Sequence, residues 1–281
     1  MSQQQPRKTA FITGASRGIG AESAVALAAA GWNVAITART LAAGESQDYV
    51  GGKTALPGSL EATAEAVQKV GGEALCLRGD ILEPDSVVAA AEQAQAHFGS
   101  IDLLFNNAIY QGAGNQENLL EVTQAQLQSI YQGNVFTPLA LIKSILPGMI
   151  ERKSGTVINM MSYTAFNNPP ASAANGGWGF AYPSSKAAFG RMAGSIRVEH
   201  ADANLRVFNL EPGTVFTEVM KAAGIDEEVM KRFKACTPQS IAAVVAWIAE
   251  NEPMDDWGAD DILRGPAIAK RLEFLKLPSL L

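Results

Sequence analysis

The first forty residues hold the feature that most limits the fold, a short apolar strand that runs into a glycine-rich turn. Thr9–Thr13 is β-prone, the turn contains Gly14, Gly18 and Gly20, and an alanine-rich helical stretch leads to a second strand at Asn33–Thr37. Strand, glycine turn, helix and strand in this order form the context that a dinucleotide-binding fingerprint needs. The glycines permit a tight turn, close approach of the backbone to a pyrophosphate and close helix packing, while the helix N-terminus offers N–H groups to phosphates. The pattern predicts a doubly wound α/β fold that binds a nucleotide.

Composition excludes several classes of function. The 281 residues carry 22 Lys and Arg against 28 Asp and Glu, a net charge of −6 without a basic block. This charge argues against nucleic acid or an anionic membrane as the main partner. Two cysteines (Cys76, Cys236) and two histidines (His97, His200) are too widely spaced to indicate a disulfide framework or a metal site. The N-terminus has no apolar signal region, and the longest apolar run, Ile241–Ala249, is too short to span a bilayer. We therefore expect a cytoplasmic protein without a metal.

A second feature is the pair formed by Tyr182 and Lys186 in the sequence Tyr-Pro-Ser-Ser-Lys. Residues four apart share one face of a helix, and Pro183 is tolerated only in a first turn, so the helix should begin close to Tyr182. A free tyrosine has a pKa of roughly 10, and a fixed cation nearby lowers that pKa, which suits tyrosine to acid–base work. The spacing is common by chance. A half-buried tyrosine near a solvated lysine is therefore the alternative until other motifs accompany the pair.

Other motifs follow in one order along the chain, and together they resemble the short-chain dehydrogenase/reductase family in its main branch of compact enzymes. They are the glycine spacing after Thr13, Asp80, Asn106-Asn107-Ala108, Asn134, Ser162, Tyr182 with Lys186, and Pro212-Gly213. The resemblance covers about Thr9 to Ile248. It implies a single Rossmann-type domain over residues 1–281, with a central parallel sheet of about seven strands between helices. It also implies reversible hydride transfer between a nicotinamide and a carbonyl or secondary alcohol.

The resemblance implies four catalytic residues, each with its own role. Tyr182 would exchange the proton, and Ser162 would hydrogen-bond the substrate oxygen. Lys186 would lower the pKa of Tyr182 and bind the nicotinamide ribose, and Asn134 would support a water relay to the lysine. Met161 precedes Ser162 where the family usually has a second small polar residue, so only one hydroxyl is expected to serve.

The resemblance also implies which residues contact the cofactor. The predicted contacts are Gly14, Ser16, Arg17, Gly18, Ile19, Gly20, Arg39, Thr40, Asp80, Ile81, Asn107, Ala108, Tyr182, Lys186, Pro212, Gly213, Val215 and Thr217.

The residues that end the second strand favour NADP over NAD. A member that prefers NAD would usually place an aspartate near Ala38, whereas Thr37 to Thr40 contains no acid. Arg39 is then suited to bind a 2′-phosphate bidentately, and Arg17 is a second cation in the glycine turn. Each arginine alone would pass for a solvated surface charge. NADP(H) is therefore the expected cofactor, with NAD(H) as the alternative.

The chain departs from the family pattern at three places near the expected cofactor and at the C-terminal edge. Leu41–Ser59 is a polar, Gly-rich segment, interpreted as a surface insertion beside the adenosine end. Ile109 replaces the usual glycine after Ala108, which would reshape the nicotinamide side of the cleft. The usual closing strand with paired glycines is missing, and the residues from Asp261 to Gly265 stand in for it.

Two segments are expected near the substrate. Ser162 and Tyr182 are 20 positions apart, against roughly a dozen in most relatives, and the intervening loop (about 163–181) should line or cover the substrate cleft, with Trp178 as an apolar contact. A bland surface loop is the alternative. Residues 213–237 would form a mobile lid whose Met220, Met230 and Phe233 are either core residues or substrate contacts.

The sequence thus predicts an NADP-preferring oxidoreductase, active as a homodimer or homotetramer on a small carbonyl or alcohol. Two other classes remain open at this point. One is an epimerase or dehydratase of the family's extended branch, and the other is a non-catalytic nucleotide sensor on the same fold. The chain lacks the larger C-terminal substrate domain of the first class and keeps the tyrosine and lysine that the second class often loses.

Overall fold

A seven-stranded parallel sheet forms the centre of the computed structural model, which describes residues 7–49, 52–110, 112–222, 230, 234–253 and 261–277. The strands lie in the order β5-β2-β1-β6-β7-β8-β9, and every neighbouring pair is parallel. Their bounds are β1 Thr9–Thr13, β2 Asn33–Ala38, β5 Ala74–Arg78, β6 Leu103–Asn106, β7 Gly155–Met160, β8 Leu205–Glu211 and β9 Ile262–Arg264. The predicted doubly wound α/β class and the strand number are confirmed.

Helices cover both faces of the sheet, which is why its central strands are apolar without alternation. They are α1 Gly18–Ala29, α2 Leu60–Lys69, α3 Pro84–Phe98, α4 Gln124–Tyr131, α5 Thr137–Arg152, α6 Ala181–Glu199, α7 Glu218–Ala222, α8 Pro238–Glu250 and α9 Gly265–Arg271. One core cluster joins α1, α2, α8 and α9 to the sheet, and a second joins α3, α5 and α6 to the other face. All five residues of β1 are buried.

The topology places the site at one edge of this sheet. β1 lies between β2 and β6, so the strand order reverses beside it. In doubly wound sheets ligands bind outside the carboxyl ends of the strands at such a switch point. The glycine turn follows β1, Asn107 follows β6, and Ser162 comes soon after β7. These motifs are therefore brought to the same edge.

The long helical run from Gln124 to Arg152 is interrupted by a π-helical segment at Gln132–Phe136. Thr123 and Gln126 form a capping box at its start. Pro138 lies in the first turn of α5, directly after the π segment, where its missing N–H is tolerated. Among the described helices, this run alone is long and apolar enough to cross a membrane. It is also more than half buried in the protein, as a core helix would be.

Two parts of the chain differ from the sequence-based expectation. The insertion at 41–59 holds an antiparallel hairpin, β3 Ser46–Tyr49 with β4 Gly52–Ala55, rather than loop alone. The closing strand exists as the three-residue β9, which pairs with the end of β8 although it lacks the paired glycines.

In the predicted lid, Met230 is buried with Phe216, and Met220 packs against these two residues. Met220 and Met230 are therefore core residues. Phe233 lies outside the described residues.

Candidate active site

A cavity with a volume of 180 Å³ lies at the carboxyl ends of β1, β2, β5 and β6, beside the switch point. Eight of the predicted cofactor contacts line it: Gly14, Ser16, Arg17, Arg39, Thr40, Ile81, Asn107 and Ala108. Thr37 and Val219 complete parts of its wall. The residues predicted from separate motifs thus meet around one space.

Thr13 connects the glycine turn to the turn after β6 by hydrogen bonds. Its hydroxyl accepts hydrogen bonds from the N–H groups of Asn107 and Ala108, both at 3.0 Å, and the Asn107 side chain donates to the Thr13 carbonyl at 3.0 Å. Gly14 has φ +70°, and a Cβ there would lie 2.9 Å from Ala108 Cα. A Cβ on Gly20 would lie 2.4 Å from the Gly14 carbonyl oxygen. Only glycine fits both positions, so the backbone cradle for a pyrophosphate is built by this sequence.

Two guanidinium groups, those of Arg17 and Arg39, line the cavity. Arg17 donates from Nε to the Pro57 carbonyl at 2.8 Å and from Nη2 to the Thr40 hydroxyl at 3.2 Å. Burial lowers the pKa of Arg17, and repulsion from Arg39 lowers it further. The two cations are therefore close enough to interact, an arrangement that an anion between them would stabilise. Arg17 also holds the insertion in place, a role that the sequence did not suggest.

Arg39 lies on a turn that is fixed by a separate ion pair. Arg78 Nη1 donates to the Arg39 carbonyl at 2.7 Å, and the Arg78 guanidinium contacts both Glu45 carboxylate oxygens, at 2.8 and 3.0 Å. Glu45 in turn accepts from the N–H groups of Leu41 and Ala42, at 3.4 and 3.1 Å. The pair thus ties β5 to the turn that follows β2 and sets where the Arg39 backbone lies.

The remaining predicted cofactor residues do not line the cavity. Asp80 lies beside Arg39 and Ile81 in a small neighbouring recess, and its Oδ1 accepts from the Leu82 N–H at 2.9 Å. Thr217 lies against the glycine turn, 3.6 Å from where a Gly18 Cβ would be. Glu218 faces the same point, and its carboxylate raises the pKa of Arg17. The other members of this set are Ile19 in α1, Tyr182 and Lys186 in α6, and Pro212, Gly213 and Val215 after β8.

The hydroxyls of Ser162 and Thr164 meet after β7, near the start of α6. The Ser162 Oγ lies 2.9 Å from the Thr164 Oγ1, and the Thr164 N–H also donates to Ser162 Oγ, at 3.3 Å. The Tyr182 side chain lies close enough to Ser162 for that residue to lower its pKa. Thr164 thus places a second hydroxyl beside Ser162, from two positions further along the chain. That a single hydroxyl serves the substrate stays a prediction.

Lys186 is almost completely buried, with 1% of its surface exposed. Its Nζ donates to the Met160 carbonyl at 2.8 Å and lies 4.9 Å from the centre of the Phe189 ring. Burial lowers the pKa of Lys186 to about 7. Burial also raises the pKa of Tyr182, Ser162 opposes this, and Glu211 raises it further. The net shift of the tyrosine pKa is upward and Lys186 is not among its causes, so the expected lowering by Lys186 is wrong for the protein's own groups.

Asn134 lies inside the π segment and joins two parts of the site. Its Oδ1 accepts from the Tyr110 N–H at 2.8 Å, and its Nδ2 donates to the Ser185 hydroxyl at 3.0 Å. Ser185 donates to the Tyr182 carbonyl at 2.7 Å. The side chain is buried, with 1% exposed, so it is not the surface asparagine that it would have passed for. Its place in a water relay stays a prediction.

Glu211, which the sequence analysis missed, is a buried carboxyl group near Tyr182. It is 6% exposed and lies at the end of β8, where its Oε1 accepts from the Gly213 N–H at 2.7 Å. Burial raises the pKa of Glu211, while the Gly213 hydrogen bond and the charge of Arg264 lower it. A signal did exist, since Glu211 is the one acid in an otherwise apolar strand end directly before Pro212-Gly213. Thr164 offered no comparable signal.

The fold and this site define a class of protein, the NAD(P)-dependent oxidoreductases that use a tyrosine and a lysine four residues apart. Comparison with known proteins agrees: a family profile described as short chain dehydrogenase matches residues 8–228. The chain therefore belongs to the short-chain dehydrogenase family.

Individual relatives are similar at moderate identity. A short chain dehydrogenase of Pseudocercospora fijiensis is 32% identical over 212 residues, which cover 75% of this chain and 61% of that relative. A metagenomic short-chain oxidoreductase solved in complex with NADP has a TM-score of 0.67 and 28% identity, and the match covers 92% of this chain and 94% of that one. A 7α-hydroxysteroid dehydrogenase complexed with NADH and a 7-oxo bile acid has a TM-score of 0.72 and 26% identity, over 92% of each chain.

Proposed function

We propose that this chain is an NADP-preferring oxidoreductase that transfers hydride reversibly between the nicotinamide and a carbonyl or secondary alcohol substrate. The observation that carries the proposal is the contact of Tyr182 with Ser162 at the carboxyl edge of the sheet, with buried Lys186 on the same helix. Proton exchange at the substrate oxygen needs such a hydroxyl within hydrogen-bonding reach of a second donor.

Each side chain has a part in this chemistry. NADP(H), when bound, supplies or accepts the hydride. Tyr182 gives a proton to the substrate oxygen in reduction and removes it in oxidation, and Ser162, held by Thr164, orients that oxygen. Lys186 would return a proton to Tyr182 from its ammonium group and would hold the nicotinamide ribose of a bound cofactor. Asn134 fixes the start of α6 through Ser185, so that Tyr182 keeps its place.

The preference for NADP rests on Arg39 and Arg17 rather than on the relatives. One similar structure contains NADP and another contains NADH, so the family likeness alone does not choose. The strand end carries no acid that would repel a 2′-phosphate, and two guanidinium groups interact at that end of the cavity. A phosphate placed between them would gain charge-assisted hydrogen bonds and relieve their repulsion.

The function is tested by incubating the purified protein with NADPH or NADH and a panel of ketones, aldehydes and secondary alcohols, with nicotinamide absorbance as the readout. Turnover that is faster at equal NADPH than at equal NADH supports the proposal. Nucleotide binding without turnover of any compound would instead favour a sensor, and conversion of a substrate without net change in nicotinamide would favour an epimerase or dehydratase. A cytoplasmic location and a homo-oligomeric state belong to the same proposal and are checked by fractionation and by light scattering.

Replacing Arg39 with alanine should weaken NADPH binding far more than NADH binding. Loss of a charged hydrogen bond costs about 1.5–3 kcal/mol, so we expect the Kd for NADPH to rise roughly tenfold to a hundredfold. Because NADH has no 2′-phosphate, its Kd should change by less than about threefold. Both constants are measured by fluorescence titration.

A matched control is Lys69→Ala, which removes one positive charge from an exposed position at the end of α2. This variant should leave both constants unchanged. Equal affinity of the unmodified protein for the two nucleotides, or an equal loss of both in Arg39→Ala, would contradict the assignment of Arg39.

Arg78 is expected to affect the preference for NADPH by positioning Arg39 rather than by contacting the nucleotide. Arg78→Leu removes the donor to the Arg39 carbonyl and the partner of Glu45, so the KM for NADPH should rise by roughly threefold to tenfold. The kcat at saturating NADPH and the KM for NADH should stay the same, because neither depends on where the Arg39 side chain lies. Arg78→Lys, which keeps the charge and one donor, should restore part of the loss. A fall in kcat with both nucleotides would show a merely structural role.

A further inference from the structure

The carboxyl end of β8 carries a charged side chain that has no part in the proposed chemistry. Glu211 is the last residue of this strand and is 6% exposed. Leu210, directly before it, pairs with Met160 on β7, and the Leu210 carbonyl accepts from the Met161 N–H at 2.7 Å. Ser162 follows Met161 in the chain. Glu211 therefore lies at the end of the strand next to the one that leads into Ser162.

The side chain of Glu211 is on the face of the sheet that α6 covers. Side chains alternate between the two faces of a strand, so Val207, Asn209 and Glu211 share one face. Val207 is buried in the core cluster with α6, and the Asn209 amide donates to the Gly190 carbonyl of α6 at 2.9 Å. Tyr182 lies in the first turn of α6, which follows β7 and starts at the carboxyl edge of the sheet. The carboxyl group and the phenol thus belong to neighbouring elements at the same edge.

The surroundings of Glu211 hold both its side chain and its backbone. Its Oε1 accepts from the N–H of Gly213, which has φ +66° in the turn after β8; this hydrogen bond is 2.7 Å long. Arg264 on β9 is the register partner of Glu211, and its guanidinium carbon lies 6.0 Å from the centre of the Phe166 ring. A Cβ on Gly265 would lie 3.0 Å from the Glu211 carbonyl oxygen. The turn therefore fixes the carboxylate, and β9 fixes the strand that carries it.

The titratable groups around this carboxylate come from α6, from β9 and from the segment before α8. Burial raises the pKa of Glu211, and the charge of Arg264 on β9 lowers it. Burial raises the pKa of the Cys236 thiol to about 11, so this group is uncharged near neutral pH. On α6, burial lowers the pKa of Lys186 to about 7. Burial also raises the pKa of Tyr182, and the charge of Glu211 raises it further. The carboxylate therefore opposes ionisation of the phenol.

We propose that Glu211 is a positioning residue for the proton step: its carboxylate holds the Pro212-Gly213 turn and places a fixed negative charge near Tyr182, which keeps the proton on the phenol until a substrate takes it. The proposal rests on the proposed hydride transfer and adds a residue that sets its pH range. In reduction the phenol of Tyr182 gives its proton to the substrate oxygen, and in oxidation its phenolate takes a proton from the alcohol. A negative charge nearby disfavours the phenolate, so oxidation begins only at a higher pH.

Two substitutions of Glu211 separate its charge from its hydrogen bond. Glu211→Gln keeps an oxygen that can accept from the Gly213 N–H and removes the charge, whereas Glu211→Leu removes both. The test measures kcat/KM against pH for the secondary alcohol of the panel that reacts fastest with NADP⁺. In both variants the rising limb of this profile should move to lower pH by about 0.5–1.5 pH units. The plateau above the limb should not rise, because a more acidic phenol leaves a weaker base.

The hydrogen bond is tested by the KM for NADP⁺. This KM should stay within about twofold in Glu211→Gln, because the turn keeps its acceptor, and should rise roughly threefold to tenfold in Glu211→Leu. A merely structural role would raise KM or lower kcat in both variants and leave the pH profile where it is.

A direct titration follows the phenol without turnover. Ultraviolet difference spectra of the protein with NADP⁺, minus those of Tyr182→Phe, report ionisation of this phenol alone, and their midpoint should move to lower pH in Glu211→Gln. Glu199→Gln is the matched control, since it makes the same chemical change at an exposed position at the other end of α6. This control should leave the pH profile and the spectra unchanged.

The outcomes separate the role of Glu211 from the proposed function. Turnover with an unshifted pH profile in Glu211→Gln, or an unshifted midpoint of the phenol titration, would overturn the role of Glu211 alone. A shift of equal size in Glu199→Gln would also overturn it, because any lost negative charge would then have the same effect. Turnover of no compound in the panel would overturn the role of Glu211 together with the proposed function.

Discussion

The variant Tyr182→Phe is expected to lose about 10²- to 10⁴-fold in kcat while its Kd for NADPH stays within about twofold. The change removes the hydroxyl that contacts Ser162 and leaves the ring, so the packing at the start of α6 is kept. The net shift of this tyrosine's pKa is upward, so the hydroxyl is protonated, which is the form that donates in carbonyl reduction. Single-turnover and steady-state rates measure the loss directly.

Tyr131→Phe is the matched control, because it also removes only a phenol oxygen. Tyr131 lies at the end of α4, and its ring contacts Phe136 at a centroid distance of 6.3 Å, a contact that phenylalanine can keep. Its kcat should match that of the unmodified protein. A Tyr182→Phe enzyme that kept most of its rate would defeat the assignment of Tyr182 as the proton donor.

The variant Lys186→Met should damage both the chemistry and the binding of the nucleotide. We expect kcat to fall by about 10²-fold or more and the Kd for NADPH to rise roughly tenfold, since an ammonium group that would hydrogen-bond the ribose is lost. Tyr182→Phe should lower only kcat. This difference between the two variants separates a residue with two roles from a residue with one. A Lys186→Met enzyme with unchanged NADPH affinity would refute the ribose contact.

The pH dependence of the unfolding free energy tests whether Lys186→Met is still folded. Burial lowers the pKa of Lys186 to about 7 from its ordinary value of 10.5. Between these two pH values the unfolded chain binds the proton more often than the folded chain does. The unmodified protein should therefore gain stability as pH rises through this window, by up to ~1.4 kcal/mol per pH unit. The methionine variant lacks this contribution, so it should be relatively more stable at pH 7 and lose that advantage towards pH 10. Urea unfolding at several pH values measures the difference.

The parts of the fold that are local in sequence were predictable from it. β1 and β2 occur close to the expected bounds, because an apolar run between a polar segment and a glycine turn acts within a few residues. The glycine turn was predictable for the same reason. The hairpin in the insertion was not, since Ser46–Tyr49 and Gly52–Ala55 show no apolar alternation. The strand β9 was underestimated because its pairing with β8 depends on a neighbour far away in sequence.

The candidate site also contains residues that the sequence predicts and residues whose position depends on how distant segments pack. The order of the motifs along the chain led to Tyr182, Ser162 and the glycine turn before any geometry was known. The Ser162–Thr164 contact and the buried carboxyl of Glu211 depend on how β7, β8 and α6 come together, which no single stretch of sequence contains. The direction of the pKa shifts was missed for a related reason. Charge could be read from residue type, but burial came only from the packed chain.

The tie between Arg78, Glu45 and the Arg39 carbonyl has a consequence for anyone who wishes to re-engineer the coenzyme specificity of this enzyme. Introducing an arginine at the position of Arg39 into an NAD-dependent homologue would supply the charge but not the backbone contacts that position the side chain. The smallest transferable cassette is the turn from Arg39 to Glu45 together with the strand position of Arg78, which pairs with Ala38 across the sheet. On the proposed preference for NADP, a change of coenzyme would therefore involve the ends of two neighbouring strands, β2 and β5, rather than Arg39 alone.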